Sequence, residues 1–256
     1  MRRERIWAIC LLAVGVAFAY QHAGRVLGPQ PSVVDPGGPG KPPSDAVVLF
    51  AGKDNAGWTR LDGTPSHCTV ADGVMTCKTG ALDTRSTETF RNAQIHVEFL
   101  VPNEPDQKGY ARANSGVLLQ NEHEIQILDN YKSYVAPDSA CAALYRQSPP
   151  LVNACRPPNQ WQSFDIVFHA PACGSDGKMQ APGSLTLLHN GVLVQDHVPV
   201  KVPEWSRRCV SEGPLVLQDH SRYVGRKIEV EEGPINGPAP ETDMQFRNIW
   251  MRRLAD

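Results

Sequence analysis

Asn190-Gly191 stands between two runs of alternating character, 184–189 and 192–195. Both turn residues tolerate positive φ, so the dipeptide between such runs predicts a two-residue β-hairpin. The same period of two recurs elsewhere. Gln94, His96 and Glu98 alternate with Ile95, Val97 and Phe99. Glu124 and Gln126 alternate with Ile125 and Ile127. A repeat of two puts every second side chain on one face of a strand, the apolar set inward and the polar set out. Further strands are expected at 47–50, 115–120, 162–169, 213–219, 226–231 and 244–252. No amphipathic helix of useful length and no internal repeat is visible. With 22 prolines and 21 glycines as punctuation, the pattern predicts an all-β sandwich or barrel. The stretches 131–160 and 221–243 read as long loops.

The beginning of the chain has a different logic. Arg2, Arg3 and Arg5 precede an apolar run from Ile6 to Phe18, which ends in Ala17-Phe18-Ala19. That is the anatomy of a secretory leader over 1–19, too short to span a bilayer as a stable anchor. Residues 20–45 are rich in proline and glycine and read as a linker. The domain is expected over 46–256. The chain is accordingly expected to be exported, to the periplasm or beyond the cell, with no membrane span after cleavage. Removing Cys10 with the leader leaves Cys68, Cys77, Cys141, Cys155, Cys173 and Cys209. An even set in an exported chain reads as a disulfide framework. Cys68 with Cys77, across a turn at 71–73, is one candidate pair; Cys141 with Cys155 would close another short loop. No C-x-x-C occurs, which argues against zinc. The net charge of −2 excludes the electrostatic footprint of a nucleic-acid binder.

Strand parity nominates a working face. If the apolar sides meet in one core, a sheet presents His96, Glu98, Glu124, Gln126, Gln218, His220 and Arg247 outward. This set of acceptors, donors, imidazoles and a fixed cation suits a carbohydrate partner. A plain solvated sheet face would alternate in the same way. Glu124 and Gln126 exceed it, because carboxylates are depleted from strands. Gln218-Asp219-His220 and Arg247-Asn248 exceed it further. Trp58, Trp161, Trp205 and Trp250 are candidate platforms for a sugar ring, with a core role the better account of Trp161 and Trp250.

An ordered series of motifs resembles one family. Leu49-Phe50-Ala51-Gly52-Lys53-Asp54 with Gly57-Trp58 opens it. Asn114-Ser115-Gly116-Val117, Glu124 through Asp129, Ala143-Leu144-Tyr145 and Trp161 through Ile166 follow. His189 through Val194, Gly213 through His220 and Phe246 through Trp250 complete it. The series is similar to the 3-keto-disaccharide hydrolase family across about 47–254. Ala51, Cys141 and Asn159-Gln160 depart from its usual residues. The resemblance implies a concanavalin A-like jelly-roll sandwich of two antiparallel sheets with its ligand on the concave sheet. It also implies action on glycosides oxidised at C3. Such a ketone acidifies the C2 hydrogen, so a base at C2, an electrophile at the 3-oxygen and an acid at the leaving oxygen are required. Glu124 or His220 is the expected base, with His96 a further option. Arg247 and Gln126 would polarise the carbonyl or hold hydroxyls. Glu98, Asn114, Gln218, Asp219 and Tyr145 complete the expected substrate contacts. A divalent metal on Glu124, His220 and a third ligand could replace Arg247 as the electrophile. A non-catalytic carbohydrate-binding module and a scaffold sandwich are the rival functions.

Overall fold

The computed structural model describes residues 30–38, 41–220 and 243–255. The leader expected over 1–19, the strand expected at 226–231 and all but the last residue of the 221–243 loop lie outside the described residues. The chain divides into two units, residues 1–35 and 36–256. Residues 30–35 of the first carry no helix or strand.

The second unit is built from strands. In chain order they are β1 (Val47–Phe50), β2 (Trp58–Arg60), β3 (Thr69–Ala71), β4 (Val74–Cys77), β5 (Thr84–Phe90), β6 (Ala93–Leu100), β7 (Ser115–Leu119) and β8 (His123–Ile127). There follow β9 (Gln162–His169), β10 (Ala172–Cys173), β11 (Met179–Ala181), β12 (Gly183–His189), β13 (Val192–Val200), β14 (Gly213–Leu217) and β15 (Met244–Arg253). A wide antiparallel sheet runs β13-β12-β9-β6-β15-β4-β3, with β1 also paired to β15. A narrow antiparallel sheet runs β2-β5-β14-β7-β8, and β10 pairs with β11 apart from both. The two large sheets form a jelly-roll β-sandwich.

Parity explains the core. Ile95, Val97, Phe99, Phe164, Ile166, Phe168, Leu185 and Leu187 of the wide sheet are fully buried. They face Val117, Leu119, Ile125, Ile127, Leu215 and Leu217 of the narrow one, all buried. Phe90 of β5 meets Phe168 of β9 edge-on across the gap, ring centroids 6.1 Å apart. Each such side chain is worth about 1.5–3 kcal/mol of burial. The predicted hairpin is present: His189 pairs with Val192, and Asn190 and Gly191 take φ of 53° and 79°, as a type I′ turn requires.

β5 was invisible to the period-two pattern because its inward positions include Thr84 and Ser86. Ser86 is satisfied by backbone groups, donating to the Glu88 carbonyl (2.7 Å) and accepting from the Leu215 N–H of the neighbouring β14 (3.0 Å). The loop expected at 131–160 contains a short added edge. Ala142 N–H donates to the Gln126 carbonyl and Tyr145 N–H to the Glu124 carbonyl, over 2.8 and 2.9 Å. Residues 142–145 thus cover the outer edge of β8. Disulfides join Cys68 to Cys77, as expected, and Cys173 to Cys209. Cys141 and Cys155 are free thiols rather than a bridge. Among the described residues no helix is long and apolar enough to cross a membrane.

Candidate functional site

On β7 and β8 the residues that point away from the core are Gly116, Leu118, Glu124 and Gln126. Glu124 pairs with Leu118, and Gln126 with Gly116. The missing side chain at Gly116 has a direct use. A Cβ there would stand 2.9 Å from Glu124 Oε1 and 3.0 Å from its Cγ, so the glutamate lies across bare backbone. With its nitrogen turned toward the glutamate, the Gln126 amide donates to Glu124 Oε1 over 2.8 Å and to the Ser115 carbonyl over 3.2 Å. Asn114 donates to the Tyr110 carbonyl over 2.9 Å, which holds its amide beside Gln126.

These side chains floor a hollow of about 450 Å³, walled by Asn114, Tyr145, Arg146, Trp205, Gln218 and His220. That volume lies in the range of small-molecule sites. Gln218 leaves β14 on the outward parity, and its buried Oε1 has no partner among the described residues. Tyr145 arrives on the added edge of β8. Its ring lies 5.9 Å from that of Trp205 and 5.5 Å from the Arg146 guanidinium. Burial pushes the Tyr145 phenol above its ordinary pKa, with Glu124 and Tyr110 adding and Arg146 opposing. The phenol therefore keeps its proton near neutral pH. A second hollow of about 210 Å³ shares Tyr145, Arg146 and Trp205 and continues toward Lys201 and Glu204.

Seven polar residues expected on one face prove to be divided between two. Glu124, Gln126, Gln218 and His220 line the hollow, together with the expected contacts Asn114 and Tyr145. His96, Glu98 and Arg247 lie instead on the outer face of the wide sheet, because β6 and β15 pair there. Arg247 Nε donates to Glu98 Oε2 over 2.6 Å, and Asn248 Nδ2 donates to Oε1 over 2.9 Å. Both reach one carboxylate because β15 bulges here: the register with β6 shifts between Arg247 and Trp250, and Asn248 has φ 48°. A bulge places two successive side chains on one side. Burial would raise the Glu98 pKa, but hydrogen bonds from Asn248 and Arg247 hold it below its ordinary value. The Arg247 guanidinium also lies 4.0 Å from the Trp161 ring centroid. His96 Nδ1 meets Asp165 Oδ1 at 2.6 Å, and its ring stacks on Trp250 at 5.3 Å. Trp250 is thus outside the inter-sheet core. Asp219, an expected substrate contact, is not among the residues lining the hollow; its Oδ2 accepts from the Gly80 and Leu82 N–H groups at 3.0 and 2.8 Å.

Arg146 is the functional candidate that parity reasoning missed. It follows the Ala143-Leu144-Tyr145 motif directly, and a cation beside a motif tyrosine was the available signal. Its φ of 56° ends the added edge, so both side chains reach the hollow. Trp205, one of four tryptophans considered, is the one that lines it. Among the described residues no third metal donor gathers with Glu124 and His220; the group that does gather is Cys141, Cys155 and His189, elsewhere in the fold.

Residues 45–252 match the model of the 3-keto-alpha-glucoside-1,2-lyase-like domain. A solved Parabacteroides distasonis structure, described as a candidate glycosyl hydrolase, is similar at 33% identity and TM-score 0.79, covering 91% of this chain and 95% of its own. Another from the same organism, similarly described, has 18% identity and TM-score 0.55, over 82% of this chain and 99% of its own; it supports the fold alone. No protein of curated function matches the sequence. Motif order, sandwich topology and the family match over most of the length agree, and the chain belongs to the 3-keto-alpha-glucoside-1,2-lyase-like domain family.

Proposed function

We propose that this domain cleaves glycosides whose sugar carries a ketone at C3, with Glu124 as the base at C2. One observation carries the reading. Among the described residues lining the hollow, Glu124 is the one carboxylate, and an amide, Gln126, sits against it. An ordinary glycosidase needs two carboxyls flanking the scissile bond. The other candidate acids are engaged elsewhere: Asp129 is paired with Arg112, Glu98 lies on the other sheet with Arg247, and Glu122, which does not line the hollow, interacts with Ser206 and Arg208. A single base matches elimination chemistry. Glu124 takes the C2 proton, and the C–H electrons pass to the C3 oxygen as an enolate. Collapse of the enolate expels the C1 oxygen, which takes a proton from Tyr145 or His220. Water then adds across the C1–C2 double bond, so the net change is hydrolysis. Arg146, rather than Arg247, is the cation placed to stabilise the enolate. The hollow floored by Glu124 would take the keto sugar, with Trp205 and Tyr145 as stacking surfaces, and the smaller hollow that shares those residues would take the leaving group. The two disulfides accord with an exported enzyme.

The test is to incubate the purified protein with a 3-keto-glucoside and follow aglycone release between pH 5 and 9, with and without added divalent metal. Release supports the reading. Saturable binding without release would instead favour a carbohydrate-binding module.

Two substitutions refine it. Gly116→Ala is expected to displace the Glu124 carboxylate and lower kcat by about 10²-fold, since misplacement on the ångström scale has that cost. Unchanged kcat would show that the carboxylate does not need this position. Arg247→Met is expected to leave kcat and KM unchanged while lowering the melting temperature, because it frees the half-buried Glu98 carboxylate from its cation. Loss of turnover in a folded Arg247→Met protein would return that residue to the chemistry.

A further inference from the structure

Cys141 Sγ, Cys155 Sγ and one ring nitrogen of His189 all lie within 4.8 Å of one another. Cys141 and His189 are buried, at 3% and 0% exposure; Cys155 is intermediate in exposure. The hydrogen bonding fixes the histidine. Gln162 Oε1 accepts from the Arg156 N–H at 3.0 Å and the Asn190 amide at 3.3 Å, and it meets His189 Nε2 at 2.8 Å. An oxygen used in this way is an acceptor, so Nε2 carries the proton and Nδ1 the lone pair. That Nδ1 is buried without a partner. A ligating histidine characteristically donates its other N–H to a carbonyl oxygen in this way. Asn130 Oδ1 lies 3.4 Å from Cys155 Sγ and accepts from the Cys141 N–H at 3.2 Å, which places an oxygen beside the two sulfurs.

We propose that Cys141, Cys155 and His189 bind one zinc ion, with the Asn130 amide oxygen as the fourth ligand. Bond lengths of about 2.3 Å to sulfur and 2.0 Å to nitrogen put tetrahedral donor atoms about 3.5–3.8 Å apart, so closure needs a movement of no more than about 1 Å. The two thiols release their protons on binding, and the two thiolates balance the charge of Zn²⁺. A Cys141–Cys155 disulfide would leave the buried Nδ1 without a partner, whereas a metal satisfies all three groups. The spacing escapes any short zinc pattern because the ligands come from a loop and from the end of β12. Cys141 lies four residues before Tyr145, so the ion would tie the segment that supplies Tyr145 and Arg146 to the wide sheet.

The test uses the full chain, freed of metal by chelator under a mild reductant and titrated with Zn²⁺ or Co²⁺. The expected result is one ion per chain, a near-ultraviolet thiolate-to-cobalt band and tetrahedral visible absorption. Zinc should also shield Cys141 and Cys155, mapped by mass spectrometry, from alkylation. Cys155→Ser is expected to weaken zinc binding at least tenfold and diminish the near-ultraviolet band. Should Cys155→Ser fail to fold, alkylation mapping in the unaltered chain decides. Absence of the band at millimolar cobalt, zinc that leaves both thiols reactive, or a Cys141–Cys155 disulfide whose reduction confers no metal uptake would each overturn the proposal.

Discussion

Replacing Glu124 by glutamine is expected to reduce aglycone release from a 3-keto-glucoside by roughly 10²–10⁴-fold, with the fold intact and the ligand still bound. The change is close to isosteric, so the carboxamide fits the space above Gly116. Its oxygen can still accept from the Gln126 nitrogen, which stands 2.8 Å from Oε1. What disappears is the lone pair basic enough to take a proton from C2. Binding should survive because Gln218, Asn114 and the Tyr145–Trp205 pair are untouched. The measurement is single-turnover release beside equilibrium binding of the same glycoside. Turnover retained to within tenfold would remove Glu124 as the base and move that role to His220.

The second large effect concerns stability. His123 lies on the inward parity of β8 at 2% exposure, 5.8 Å from the Phe168 ring. Neither ring nitrogen has a partner among the described residues. Burial lowers its pKa from 6.5 to about 4. The unfolded chain therefore binds this proton before the folded chain does, and stability is lost as pH falls from about 6.5 to 4. A displacement of about 2.5 on the pH scale, at 1.36 kcal/mol per unit, is roughly 3 kcal/mol. For a domain of this size that lowers Tm by about 6–12 °C. His123→Leu keeps a similar volume and removes the buried polar ring. It is expected to raise Tm at pH 5 and flatten the profile from pH 7 to 4.5. A variant with the slope of the parent protein would refute the assignment, since other acid-titrating groups are common to both chains.

Much of the sandwich was legible because alternation is a local property. Ile95, Val97 and Phe99 declare the buried side of β6 without reference to any neighbour. Asn190-Gly191 declares its turn from backbone preference alone. Alternation cannot say which sheet a strand joins. Glu98 and Glu124 read alike as outward carboxylates, yet strand pairing sends one to each outer face of the sandwich. The Asn248 bulge is equally silent in sequence, because it breaks the parity that the reading assumes. Glu124, Gln126, Gln218 and His220 were found together because parity and motif order coincided there. Arg146 had only its position next to Tyr145. Short strands such as β2 and β3, three residues each, offer too few positions for a period to show.

β15 occupies an inner position in the wide sheet, with β6 on one side and both β1 and β4 on the other. A nascent chain grown only to residue 243 has made all three of those neighbours and none of the backbone that should bridge them. Rows of open N–H and C=O groups on β1, β4 and β6 are then left facing an unfilled slot, the kind of template that recruits strands from other molecules. A chain cut short before Met244 is therefore expected to clump rather than adopt a shortened fold, and this sheet closes only when β15 takes its place.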